Sequence, residues 1–163
     1  MIKIRNGVFE TNSSSVHSLI LHNRKATYYL PVEEDGYIHV ELDEYGWGYR
    51  KLKVLYDRLA YALAMVMETE GCVSHWGENR NILGEQFYNS DGFNAINELI
   101  KEKYNCKGIK IDSNDDKYYP YGYIDHQSYE DYNSLQDFLN DWGVTLEEYL
   151  FNENVVVIDN DNH

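Results

Sequence analysis

The chain has 163 residues, of which 43% are apolar and 15% aromatic, and it carries a formal net charge of −14. That length supports one domain with a real core, and the aromatic content excludes a globally disordered chain. The charge is lopsided. Residues 1–110 hold 15 acids and 13 bases, whereas residues 112–163 hold 13 acids and a single base, Lys117. A face of that composition repels phosphate backbones, which argues against direct nucleic-acid binding by the last third. It attracts a basic surface on a partner protein instead.

In chain order, Ile2 to Ile4 reads as a strand closed by the tight-turn pair Asn6-Gly7. The start of the chain has no apolar core of the kind a secretory signal needs. Asn12 to Ser15 is a polar loop, and Val16 to Leu21 a strand. Thr27 to Leu30 and Tyr37 to Leu42 are further strands, so the first 45 residues are expected to form an antiparallel meander. Tyr45-Gly46-Trp47-Gly48 is an aromatic turn. Leu52, Leu55, Leu59, Leu63 and Val66 then recur at helical spacing. From Leu59 every face of that helix is apolar, which predicts a buried central helix. The apolar run Leu59 to Met67 is well short of the roughly 20 residues of a membrane span.

A short helix is expected around Asn81 to Tyr88, and another over 92–104 capped by Asp91. Gly108 to Asp112 is a strand, and Asn114 to Tyr132 a loop rich in Tyr and Asp. Ser134 with Asp137 starts a helix, and Thr145 with Glu148 forms a capping box for another. Val155 to Ile158 is an apolar run suited to a central strand. Strands come first and helices mostly follow, which predicts an α+β fold in one domain, 1–163. Cys72 and Cys106 are read as free thiols in a reducing cytoplasm.

Three segments can carry chemistry. In the first, Asn12, Ser13, Ser14 and Ser15 can cradle a phosphate or sugar with hydroxyls and backbone N–H groups. Ser13 or Ser15 with His17 is also raw material for nucleophilic catalysis. The bland alternative is a turn whose side chains satisfy their own backbone. In the second, Asp125, His126, Gln127 and Ser128 place an acid beside a histidine. Adjacent residues of a strand point to opposite faces, so His126 needs a partner from elsewhere. The bland alternative there is a loop with a hydrogen-bonded histidine. Joined, the two segments form a composite pocket for an enzyme or a small-molecule binder, with His17 or His126 as the acid–base group.

In the third, Tyr118, Tyr119, Tyr121, Tyr123, Tyr129 and Tyr132 are interleaved with Asp115, Asp116, Asp125, Glu130 and Asp131. Tyrosines anchor interfaces at low ordering cost, so this region reads as a binding face for a basic protein. Its bland alternative is a solvated acidic surface that aids solubility.

Metal readings are poor. Asp112-Ser113-Asn114-Asp115-Asp116 opens like a calcium loop but has Lys117 at the glycine position and Tyr123 at the final glutamate position. Cys72 and His75 lack a second ligand pair and are read as structural. No cofactor motif occurs: G-x-x-x-x-G-K-[ST], G-x-G-x-x-G and G-x-S-x-G are all absent.

The opening Phe9-Glu10-Thr11-Asn12-Ser13-Ser14-Ser15-Val16-His17-Ser18-Leu19 resembles the start of a group of proteins from bacteriophages and Gram-positive bacteria. The segment Ile124 to Ser128 resembles that group too. The resemblance brings no fold or activity with it. It implies a phage or mobile-element origin, where small acidic proteins are often inhibitors of host defence. It also gives reason to treat the first two segments as one site.

Overall fold

The structure is a computed structural model that describes residues 18–21, 29–70 and 83–159, with backbone alone at 18–21, 126 and 127. Both helices and strands are present, as an α+β fold requires. The expected strand at 2–4, the serine-rich loop with His17, and the Cys72–His75 segment lie outside the described residues.

The strands are β1 (Ser18–Leu21), β2 (Ile38–Glu41), β3 (Glu44–Tyr45), β4 (Arg50–Leu52), β5 (Ile109–Asp112), β6 (Tyr123–Ile124) and β7 (Val155–Asp159). They do not form an N-terminal antiparallel meander. The C-terminal β7 lies between β1 and β4, antiparallel to both, so Leu19 and Leu52 face Val157 from either side. Two separate parallel pairs complete the set. β2 lies on β5 with Val40 opposite Ile111, and β3 lies on β6 with Tyr45 opposite Ile124. The physical reason is burial. The run Val155–Val157 is buried throughout, and such a strand is stable only with a neighbour on each edge. A local meander would have left it at the sheet margin.

The helices among the described residues are, in order, α1 (Leu55–Thr69), α2 (Glu85–Tyr88), α3 (Asp91–Tyr104), α4 (His126–Tyr129), α5 (Leu135–Trp142) and α6 (Leu146–Phe151). In α1, residues 58–67 are all buried. Leu55, Leu59 and Leu63 are fully enclosed, and each contributes about 2 kcal/mol of apolar burial. Helices α3, α5 and α6 pack around α1.

Local caps set the helix ends. Ser90, rather than Asp91, caps α3 by accepting the Phe93 N–H at 3.3 Å. Asp91 is instead the first helical residue, where its charge suits the helix dipole. Ser134 caps α5 through the Asp137 N–H, and Thr145 and Glu148 form a reciprocal capping box on α6. The expected loop over 114–132 is more structured than its composition implies, since it contains β6 and α4.

One polar staple holds this core together. Arg58 is fully buried. Its guanidinium donates to the carbonyls of Asn152 at 3.0 Å, Leu150 at 2.6 Å and Val155. The Tyr149 hydroxyl donates back to the Arg58 carbonyl at 3.2 Å. The turn between α6 and β7 is thereby tied to the first turn of α1. No helix among the described residues is long and apolar enough to cross a membrane.

Candidate functional site

The tyrosine–acid segment is brought together by two glycines. Gly122 has φ +80°, and a Cβ there would lie 2.6 Å from Leu42 Cβ and 2.8 Å from the Asp43 carbonyl. Gly46 has φ +89°, and a Cβ there would lie 2.6 Å from Asp125 Cβ. Both left-handed conformations favour glycine. They let the turn after β3 press against β6, so Trp47 is set beside Tyr123.

The result is an aromatic ladder. Trp47 stacks on Tyr123 with centroids 6.0 Å apart, and Tyr123 stacks on Tyr119 at 4.5 Å with the planes inclined by 13°. Tyr118 closes the end edge-on at 4.8 Å. The two outer members are open to solvent, Trp47 at 54% exposure and Tyr118 at 66%. Residues Trp47 and Tyr118 are 71 positions apart in the chain, so the sequence pointed to the tyrosines without their tryptophan partner. The signal that could have found it is the pair Gly46 and Gly48 flanking an aromatic residue, which marks a tight turn presenting that side chain.

The carboxylates of Glu44, Glu68 and Asp125 lie close enough to act on Tyr119 or Tyr123. Burial and the nearby carboxylates of Asp125 and Glu68 push the Tyr123 phenol well above its ordinary range. Tyr129 is lifted to about 12, first by burial and then by Glu68 and Asp125, and its hydroxyl bonds to Glu68. Glu68 also accepts the Ile124 N–H at 3.3 Å, which anchors β6 to the end of α1. Asp115, Asp116, Glu130 and Asp131 are all exposed. Tyr121 is partly buried against the core.

Lys117, the one base of the last third, is paired with acids of the first third. Its ammonium lies 3.0 Å from Glu41 and 3.4 Å from Asp43. Asp43 also pairs with Arg50 at 2.6 Å. Burial works against the Asp43 charge, but the Glu44 N–H, Arg50 and Lys117 together hold its carboxyl below the usual range. Lys117 is thus consumed by acids from the first third and offers little compensation to Asp115 and Asp116.

Asp125 and Ser128 are both buried, at 7% and 5% exposure. The Asp125 N–H donates to the Tyr45 carbonyl, and its own carbonyl accepts the Ser128 N–H. Their place is against Gly46, beneath the ladder. The side chains of His126 and Gln127, together with Asn12, Ser13, Ser14, Ser15 and His17, lie outside the described residues.

The calcium-like segment is engaged in other bonds. Asp112 bonds His39 at 2.9 Å, Ser113 bonds Asp115, and Asn114 bonds Glu41 at 2.7 Å. Among the described residues there is no group of three or more His, Cys, Asp or Glu side chains able to hold a metal ion.

Lys117 also borders a cavity of about 430 Å³. It is lined by Glu41, Asp43, Tyr45, Arg50, Lys51, Leu52, Tyr56, Asp57 and Ala60 as well as Lys117. A second, of about 520 Å³, lies between Asp91 at the start of α3 and Ser134 at the start of α5. Neither is lined by Asp125 or Ser128. The chain matches no protein family, no curated protein and no solved structure.

Proposed function

We propose that this chain is an accessory protein of a phage or mobile element that binds and inhibits a basic host defence protein in the bacterial cytoplasm. The contact is made through the ladder of Trp47, Tyr123, Tyr119 and Tyr118 and the acids around it. The observation that carries this reading is the stacked, solvent-open aromatic rack beside carboxylates, with Lys117 drawn off to Glu41 and Asp43. Arg and Lys side chains of a partner find two attractions there. Carboxylates attract their charge, and the open face of Trp47 offers a cation–π contact of about 1 kcal/mol. A partner that normally holds nucleic acid presents such a basic surface.

The test is association measured on two variants. One carries Asp115→Asn, Asp116→Asn, Glu130→Gln and Asp131→Asn. The other is Trp47→Ala. Proteins captured from a bacterial host lysate at low salt are identified, and the basic ones are purified and titrated. The fourfold variant is expected to lose about tenfold in affinity at low ionic strength and to flatten the salt dependence. If it binds the same purified partner with the same salt profile as the parent chain, the acidic face is not the contact.

The alternative reading, an enzyme or small-molecule binder that joins Ser13–His17 to Asp125–Ser128, gains no specific support from the described half. Asp125 and Ser128 are buried beneath the Gly46 turn rather than open to a substrate.

A further inference from the structure

Several aromatic rings of the chain hold one of its own cations. Arg50 lies over Tyr45 at 5.6 Å, Lys51 over Tyr49 at 5.3 Å and Lys103 over Phe151 at 5.6 Å. Lys107 and Lys110 lie over Tyr37 at 5.7 and 4.3 Å. Trp47 differs. Indole is the strongest cation–π acceptor among the side chains, yet among the described residues no cation lies over it. Its one ring contact there is the stack on Tyr123 at 6.0 Å. That contact covers one face of the indole, and an exposure of 54% leaves the other face open. The backbone beside it is equally clear, since a Cβ at Gly48 would meet nothing within 4 Å.

The shape and the charge at that open face narrow what fits it. The planes of Tyr119 and Tyr123 are inclined by 13°, and those of Tyr123 and Trp47 by 23°. The free face of Trp47 therefore ends a run of nearly parallel rings, and the group that continues such a run is flat. Glu44 stands opposite Tyr123 in the β3–β6 register, and Glu44, Glu68 and Asp125 act on Tyr119 or Tyr123. A flat group welcome there is also a cation. A nucleobase is flat, but it brings a phosphate that these carboxylates repel. A lysine ammonium is cationic, but it is compact, strongly hydrated and unable to stack. A guanidinium is planar, always charged and weakly hydrated, and it stacks on aromatic faces.

We infer that the ladder selects arginine over lysine: one guanidinium of the basic partner stacks on the open face of Trp47 as the next layer after Tyr119, Tyr123 and Trp47. This deepens the reading of the acidic, aromatic face as the partner contact and rests on it. The carboxylates supply attraction for any base, and the indole supplies the discrimination between the two kinds of base. The partner is thereby specified further, as a protein that presents an arginine at the centre of its basic surface.

The experiment is fluorescence anisotropy of labelled hexa-arginine and hexa-lysine peptides titrated with the full chain at low salt. The parent chain is expected to bind hexa-arginine about fivefold more tightly than hexa-lysine. Added salt should weaken both and preserve the ratio, because stacking is not screened as charge is. In Trp47→Ala the two peptides should bind alike, at the hexa-lysine affinity, whereas Trp47→Tyr should keep a preference for arginine. Trp47 is exposed, so neither substitution opens the core. Equal affinities for the two peptides on the parent chain, or a preference that survives Trp47→Ala, overturn the inference and leave the acidic face standing as the contact. Oligothymidine that binds as tightly as hexa-arginine overturns it in favour of a stacked base. Binding of neither peptide overturns the inference and the acidic-face reading together.

Discussion

Arg58 and Lys117 carry the same charge and meet opposite fates, and the regions around them divide the molecule. Around Arg58, the charge is fully enclosed and directed at backbone carbonyls, so it joins α1 to the turn before β7. Around Lys117, the charge is half-exposed and shared between two carboxylates from another part of the chain. The first arrangement fixes the fold. The second leaves a loop rich in acid and aromatic surface with its own base withdrawn. A charge buried against backbone carbonyls is a structural element, whereas charges left over after pairing are the ones free to meet something else.

The largest effect separating the two regions should come from Arg58→Met. Methionine fills similar volume but leaves three interior carbonyls without their donor, at a cost of about 3 kcal/mol or more. Urea unfolding should show that loss as a lower midpoint. Lys117→Met, by contrast, breaks only partly exposed ion pairs and should cost below about 1 kcal/mol. Equal losses in the two variants would erase the distinction between the regions.

The features legible in the sequence are those decided within a few residues. Ser134 with Asp137 and Thr145 with Glu148 place helix starts because a cap is a contact between residues three apart. The apolar run at residues 155–158 marks a strand because no residue in it tolerates solvent. The pairing of that strand was not legible. β7 meets β1 across almost the whole chain, and the parallel pairs β2–β5 and β3–β6 join segments about 70–80 positions apart. Composition does not encode such partners, and a local meander was the simplest arrangement of short strands. Arg58 was hidden for a related reason. An arginine in the first turn of a helix normally reaches solvent, and only the position of the α6–β7 turn makes it a buried donor. The acidic face was half visible: its tyrosines stand close in sequence, while Trp47 reaches them through the fold.

A smaller effect, confined to the second region, should come from Gly122→Ala. The φ of +80° and the approach of Leu42 and the Asp43 carbonyl leave no room for a methyl group. The strain is about 2 kcal/mol, and it falls at the base of the ladder. The variant should lower the melting temperature modestly and move Tyr123 off Trp47, with partner binding reduced more than stability alone explains. Gly48, where a Cβ meets nothing within 4 Å, is the control. Gly48→Ala should leave both stability and binding near the parent values, and a Gly122→Ala chain with unchanged binding would mean that the stacking is not part of the contact.

The smallest effect concerns a polar cluster belonging to neither region. His39 stands on β2 between two carboxylates, with Nδ1 2.9 Å from Asp112 and Nε2 3.2 Å from Asp35. Lys110 also bonds Asp35, whose carboxyl is held far below the usual range by that ammonium and by the Tyr37 N–H. The bond to Asp112, then that to Asp35, raise the His39 imidazole above its ordinary value. A group raised in the folded state stabilises in its protonated form. Its contribution is therefore complete below about pH 6.5, the unfolded value, and is lost as the pH rises through the higher folded value. Because the cluster faces solvent, the whole effect should stay below about 1 kcal/mol. Melting curves of the parent chain and His39→Gln should differ most at about pH 5.5 and converge by about pH 8.5. A gap of the same size at both pH values would show a neutral ring held by hydrogen bonds alone. The ion cluster would then contribute nothing to joining β2 and β5, which would leave their pairing to the apolar contacts of Ile38, Val40, Ile109 and Ile111 beneath it.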